Sequence, residues 1–471
     1  MLNKNFFRAV LVASAGVACA YGQAVNPTYR FHMNVGPSPQ NIDVVLRPDV
    51  APMTVANFID YVNAGAYTYA IIDRSVPGFV EQGGDYTDPN GQPLLQASPV
   101  AITQNAPIPN EFSSNPCSTS SAGCNLQGTI AMALSDTSSG TVNTGSATSV
   151  WFFNLVNNVS QLDSQMFTVF GQTNAAGIAE LNYIQNLAVT DYSSLVSAWA
   201  NFPFTNLPTT GASGNFVLVN YIIPVPAITP ASITSAASYA ATSGNGVSPG
   251  ELLAIFGSQM GPPQPVIATI ANGALPTSLS GTTVTFDSKP APIFFTSTGQ
   301  INVVVPYSIA GLPTVDITVN YNGTASNAEV FQVKLANPAV FTLNGSGTGD
   351  AVIERYPGYG SDVIGASNPA KAGDVLILYG EGYGAPTSGT SLPDGQIVTT
   401  TVPVVADLPA VLLIDGNPVP TAYFGGAPGL VNGVLQVNFT VPTLAPGSHQ
   451  IQLQLGSPAR TSPMGVTFET K

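Results

Sequence analysis

The sequence predicts a mainly β protein of several domains, and three observations carry that reading. Its 471 residues exceed what one ordinary hydrophobic core serves, so two to four domains are expected. Charged residues make up only 8% of the chain while Gly numbers 46 and Pro 40, so helix formers are scarce and turns frequent. The second half also repeats itself, each copy built from short runs of alternating apolar and polar residues. A formal net charge of −14 leaves no basic surface to track phosphates, which argues against a nucleic-acid partner.

Residues 1–24, MLNKNFFRAVLVASAGVACAYGQA, read as a secretory signal peptide. Lys4 and Arg8 precede a largely apolar run from Phe6 to Val17, and Ala18-Cys19-Ala20 is a small-x-small cleavage site. The run is short for a membrane anchor. A lipoprotein signal using Cys19 is the alternative, although Gly16 stands where such a signal wants Leu or a similar residue. No later segment reads as a span, so the mature chain is expected to be exported, to the periplasm, cell surface or medium. Export gives meaning to Cys117 and Cys124, separated by six small or polar residues: an oxidising compartment favours a loop-closing disulfide over two free thiols. With two distant histidines, His32 and His449, no zinc site is expected.

Residues 25–224 alternate β-rich runs with two helices. In TVANFIDYVNAG, Thr54 is the expected cap, Val55, Phe58, Ile59 and Val62 share a face, and Gly65 ends the helix. In GIAELNYIQNL, Ile178, Leu181 and Ile184 have helical spacing. FVLVNYIIP predicts a strand from Phe216 to Ile223, and the proline-rich linker 225–232 follows, expected to be without regular structure. Beyond it, Pro249–Gly261 (PGELLAIFGSQMG) matches Ala372–Gly384 (AGDVLILYGEGYG) at an offset of 123. Gln300–Pro306 matches Gln436–Pro442 at 136, and Val315, Ile317 and Val319 fall on Ile451, Leu453 and Leu455. Two motifs in the same order make a duplication, read as two antiparallel β-sandwich domains, 233–337 and 338–471. Their strand–GxG–strand openings resemble the immunoglobulin-like IPT/TIG class. ITSAASY, SPGELLAIFG, GQINVVVP and YFGGAPGLVNGVLQVNFTVP resemble a C-terminal module of secreted acidobacterial proteins. No cluster of catalytic residue types stands out there, so a structural or adhesive role is expected.

The chemistry concentrates in DRSVPGFVEQGGD, Asp73 to Asp85. Its Arg74 is the last basic residue before Lys289, and no histidine stands near it in sequence to build a triad. The stretch resembles the cyclophilin signature, and five further blocks follow the family's order: APMTVANFIDYV, PIPNEF, GTIAMA, SATSVWFFNLV and LDSQMFTVFGQ. The resemblance covers Tyr29 to Pro224. It implies an eight-stranded β-barrel with two helices and peptidyl-prolyl isomerase activity on proline-containing polypeptides, with no cofactor and no metal. Carried over by residue, it assigns the catalytic Arg to Arg74 and the Gln that orients it to Gln82. The substrate-binding positions fall on Phe79, Val80, Met132, Ala133, Leu134, Phe152, Leu162 and Phe167.

An arginine suits this chemistry. An X–Pro amide is held planar by resonance behind a barrier of about 18–20 kcal/mol, and a twisted transition state restores the nitrogen lone pair. A guanidinium can donate to that lone pair and stays charged at any relevant pH. Three positions depart from the family pattern: Val150 replaces a Gln, Leu134 an Asn, and Gln161 a Trp. Two other readings follow from the sequence. One is a proline-peptide-binding barrel without turnover; the other is an envelope adhesion protein whose sandwiches are the working part. DYTDPNG, residues 85–91, resembles a calcium loop only superficially, since Tyr86 stands where a ligand is needed.

Overall fold

The computed structural model describes residues 25–88, 99–112, 124–194, 196, 199–205, 216–240, 246–357, 362–385, 393–399 and 408–471. The signal-peptide reading and Cys117 lie outside these residues. The chain divides into two compact units, Asn26–Val225 and a second built on Pro226–Lys471.

The first unit is a closed barrel. Its strands are β1 (Thr28–Met33), β2 (Asn41–Leu46), β3 (Ala70–Val76), β4 (Val80–Thr87), the short β5 (Val100–Ala101), β6 (Thr129–Met132), β7 (Trp151–Asn154), β8 (Val169–Thr173), the short β9 (Val189–Thr190) and β10 (Phe202–Pro203), and β11 (Leu218–Val225). Eight of them run in the order β3-β11-β1-β2-β8-β6-β7-β4, and β4 pairs back to β3. Closure removes the sheet edges that would otherwise recruit other chains. Strand alternation decides the faces: Tyr29, Phe31 and Met33 of β1 enter the barrel, while Arg30 points out to Asp43 on β2 at 2.7 Å. Phe31 sits at the centre, its ring 5.2 Å from Trp151 and 5.8 Å from Phe58. Burying each such ring stabilises the fold by about 1.5–3 kcal/mol.

Three helices serve the barrel: α1 (Pro52–Asn63), the single turn α2 (Val159–Leu162) and α3 (Ala175–Ile184). Helix α1 plugs the barrel with Val55, Phe58 and Tyr61. Its start corrects the sequence reading: Ala51 is the cap residue and Thr54 lies inside the helix, because Pro52 is pre-set for the first turn. The exposed amides are satisfied from elsewhere. Glu111 accepts from the backbone N of Met53 (3.0 Å) and Thr54 (2.7 Å) and from Thr54 Oγ1 (2.7 Å), placing a carboxylate at the positive end of the helix dipole. Asn174 caps α3 by accepting from the backbone N of Ala176 and Gly177. The last strand begins at Leu218 rather than Phe216 and continues to Val225 opposite Thr28. The proline-rich segment is more ordered than expected: Pro230–Ser232 forms a 3-10 turn and Ala227 exchanges backbone hydrogen bonds with Ser258.

In the second unit the duplicated motifs occupy equivalent strands. Leu252–Phe256 pairs with Gln300–Val304, and Val375–Glu381 with Val434–Thr440, all antiparallel. In each copy a second sheet faces the first across an apolar core. Val315, Ile317 and Val319 face Leu253 and Ile255 in one; Ile451, Leu453 and Leu455 face Leu376 and Leu378 in the other. A third apolar cluster joins the copies, with Leu252, Phe294 and Val304 against Ala339, Phe341, Val352 and Val434. Glu381 crosses this junction, accepting from Ser235 Oγ (2.5 Å), Ala237 N (3.1 Å) and Leu252 N (3.0 Å).

Candidate active site

Strand register places Arg74. On β3, Ile72 pairs with Gly83 and Arg74 with Gln82, so two steps on β3 match one on β4. This bulge reverses the alternation. Without it Arg74 would share the inward face of Ala70 and Ile72; with it, Arg74 stands beside Gln82 on the outer wall. The row continues laterally, since Gln82 pairs with Phe152 on β7 and Phe152 with Ala131 on β6. The two glycines of Q-G-G-D are required here. A Cβ on Gly83 would lie 2.9 Å from Ile71 O, and one on Gly84, at φ +89, 2.6 Å from Ser149 O.

Arg74 is half-buried and makes no ion pair among the described residues; its guanidinium carbon lies 6.0 Å from the Phe79 ring centroid. The ordinary reading of a lone arginine, a surface salt bridge, therefore does not hold. Burial lowers its pKa from the usual value, and the neighbouring Asp73 acts in the opposite sense. Asp73 is fully buried with both oxygens unpartnered. Burial, then the charge of Asp85, pushes it up to about 8, so it is protonated at neutral pH. The Arg74 donors thus face no ionised neighbour on their own strand.

Beside the arginine lies an apolar cup. Val80, Ala131, Phe152, Leu162 and Val169 form its buried floor, with Phe79, Ala133 and Phe167 partly exposed around it. Phe152 and Phe167 meet edge to face at 5.6 Å. Eight of the ten site positions expected from the sequence are thus brought together: Arg74 and Gln82 side by side, and Phe79, Val80, Ala133, Phe152, Leu162 and Phe167 in the cup. Two are not. Met132 points into the barrel with Phe31's cluster, and Leu134 packs against that same core. The reason is parity: Ala131 on β6 and Ala133 just beyond its end share the outer face, so Met132 between them faces inward. Ala131 is the cup residue the sequence reading missed, and period-two alternation could have found it.

The comparisons with known proteins bear on this arrangement. Residues 30–199 match the family described as cyclophilin type peptidyl-prolyl cis-trans isomerase/CLD. Peptidyl-prolyl cis-trans isomerase A of Dickeya dadantii is 30% identical over 192 residues, covering 40% of this chain and 84% of that protein. This chain belongs to the cyclophilin-type peptidyl-prolyl isomerase family. A peptidyl-prolyl cis-trans isomerase of Acinetobacter baylyi is 29% identical over 187 residues, 39% of this chain and 85% of that protein. Among solved structures, a cyclophilin type isomerase of Cryptosporidium parvum shares 16% identity at a TM-score of 0.28, covering 42% of this chain and 96% of that one. The family match ends at residue 199, before the second unit begins.

Two positions that depart from the family pattern, Val150 and Gln161, lie among the described residues. Val150 is half-buried at the entry to β7, and its carbonyl accepts from Ala133 N at 2.9 Å, so the backbone link between the two strands survives the side-chain change. Gln161 is exposed. Cys124 is buried and disulfide-bonded, while the pairing with Cys117 falls on a residue outside those described.

Proposed function

We propose that the protein is an exported isomerase that accelerates X–Pro isomerisation in secreted polypeptides, with Arg74 stabilising the twisted amide. The observation that carries this is the guanidinium of Arg74, without an ion pair among the described residues, beside Gln82 and an apolar cup. Cyclophilins bind proline-containing peptides, and here the proline ring would enter the cup over Phe152. Arg74 would donate to the prolyl nitrogen as it pyramidalises, a bond stronger in the twisted state than in the planar one. Gln82, whose amide has no protein partner among the described residues, would orient Arg74 and the substrate backbone. No bond to the enzyme forms and no proton moves.

Export rests on the signal-peptide reading of residues 1–24. Among the described residues no helix is long and apolar enough to cross a membrane. The second unit we read as two immunoglobulin-like domains with a structural or adhesive role. The test is cis/trans exchange on an Ala-Pro peptide followed by NMR line shape, with the full chain and with residues 226–471 removed. Catalysed exchange of equal rate in both supports the reading. Exchange lost on truncation would give the sandwiches a part in catalysis, and none in either would leave a peptide-binding barrel.

A further inference from the structure

Four walls of the cup, Val80, Ala131, Phe152 and Val169, lie on strands whose ladders fix them. Phe79 and Phe167 do not. Phe79 follows Gly78 (φ +72) in the β3–β4 turn, and Phe167 follows Met166 (φ 62) ahead of β8. Phe79 O accepts from Leu155 N at 2.9 Å, and the two carbonyls are also tied together by a relay of buried amides. Asn158 Nδ2 donates to Phe79 O (2.8 Å) and to Asn154 Oδ1 (2.8 Å). Asn154 Nδ2 donates to Asn125 Oδ1 (3.0 Å), and Asn125 Nδ2 donates to Phe167 O (3.1 Å) and Asp163 Oδ1 (2.7 Å). Asn125 and Asn154 are fully buried and Asn158 is 3% exposed.

We infer that Asn125, Asn154 and Asn158 are positioning residues that hold Phe79 and Phe167 at the separation a proline ring needs. The inference rests on the proposed isomerase site. The relay has one polarity, because each step is an amide N–H given to an oxygen. Asn154 uses both its donors, the second on Thr129 Oγ1 (3.0 Å), whose own proton is committed to Leu126 O (2.7 Å). A carboxylate at 154 would set an oxygen against two lone pairs with no proton to share. Arg74 and Gln82 lie outside the relay, placed by strand register. Disturbing it should therefore loosen the grip on proline and leave the barrier-lowering group in place.

The test uses the full chain with Asn154→Asp and Asn158→Ala, and Val44→Ala as a barrel-core control on β2, a strand that contributes no residue to the relay. Affinity for an Ala-Pro peptide is read by NMR titration and turnover by exchange at saturation. Asn154→Asp should weaken affinity about 10-fold and Asn158→Ala about 3-fold, with saturated turnover within about 2-fold of native. Val44→Ala should lower the melting temperature without moving affinity. Unchanged affinity in folded Asn158→Ala, or equal losses in Val44→Ala, would overturn the inference; should Asn154→Asp not fold, Asn158→Ala decides alone. Absent turnover in the native protein would remove the isomerase reading, while the affinities still judge the relay.

Discussion

Two arginines, one in each unit, show how differently the same side chain is used. In the second unit, Arg355 gives Nε to Asp374 (2.8 Å), Nη1 to Asp362 (2.6 Å) and Asn368 (2.9 Å), and Nη2 to the Pro369 carbonyl (2.7 Å). It ties Asp362, Asn368, Pro369 and Asp374 to one side chain. In the barrel, Arg74 makes no ion pair among the described residues, and its guanidinium carbon lies 6.0 Å from the Phe79 ring centroid. A structural arginine has its fork filled by the protein; one kept open beside a free amide and an apolar cup has its donors available to a ligand. The buried polar groups divide similarly. Glu381 and the Arg355 cluster close contacts within the second unit, whereas the asparagine relay supports a surface that something else must fill.

The comparison breaks first at Arg355. Arg355→Leu should destabilise the second unit by roughly 2–4 kcal/mol in denaturant unfolding, since two aspartates lose their cation and Arg355 is only partly exposed. Turnover should not change. A loss of turnover with stability intact would reverse the roles assigned to the two arginines.

A pH series sharpens it next. Burial, joined by the charge of Glu381, pushes Glu251 up to about 8, and burial pushes Glu381 up to about 7, against an ordinary value of 4.5. Between 4.5 and these values the unfolded chain has lost protons that the native state keeps. The stability these two carboxyls contribute is therefore full below about pH 4.5, falls as pH rises toward 8, and then levels. Glu381→Gln should remove its own share of that fall, a change on the order of 3 kcal/mol, and leave the share of Glu251. An unfolding midpoint that does not vary between pH 5 and 8 would contradict it.

The smallest effect is at Val150. Restoring the family's glutamine with Val150→Gln adds one hydrogen-bonding group to the groove, about 0.5–1.5 kcal/mol, and should raise turnover roughly 2- to 15-fold. A fall in peptide exchange would mean that the valine packs usefully where it stands.

What the sequence made legible followed from local pattern. The Arg-x-x-P-G-F and Q-G-G-D spacing marked Arg74, Phe79 and Gln82, and the alternation at Val315–Val319 and Ile451–Leu455 marked buried strand faces in both copies. What stayed hidden depends on pairing between distant strands. The bulge that turns Arg74 outward exists only when β3 meets β4. Glu111 as the cap of α1 is set by the fold, which carries it to a helix 57 residues away. Met132 is a different case, since alternation along β6 already sets it on the face opposite Ala131, inside the barrel. Asn125, Asn154 and Asn158 carry no pattern at all, because asparagine is as ordinary in a turn as in a buried relay.

The central claim is that Arg74 lowers the barrier rather than merely helping to hold the peptide. The direct measurement is cis/trans exchange on an Ala-Pro peptide by NMR, native against Arg74→Ala, with affinity titrated in the same samples. The account predicts saturated turnover down by about 100-fold or more, the range for removing one preorganised donor, with affinity reduced less than about 10-fold. Saturated turnover that survives in Arg74→Ala, with any loss confined to affinity, would contradict it.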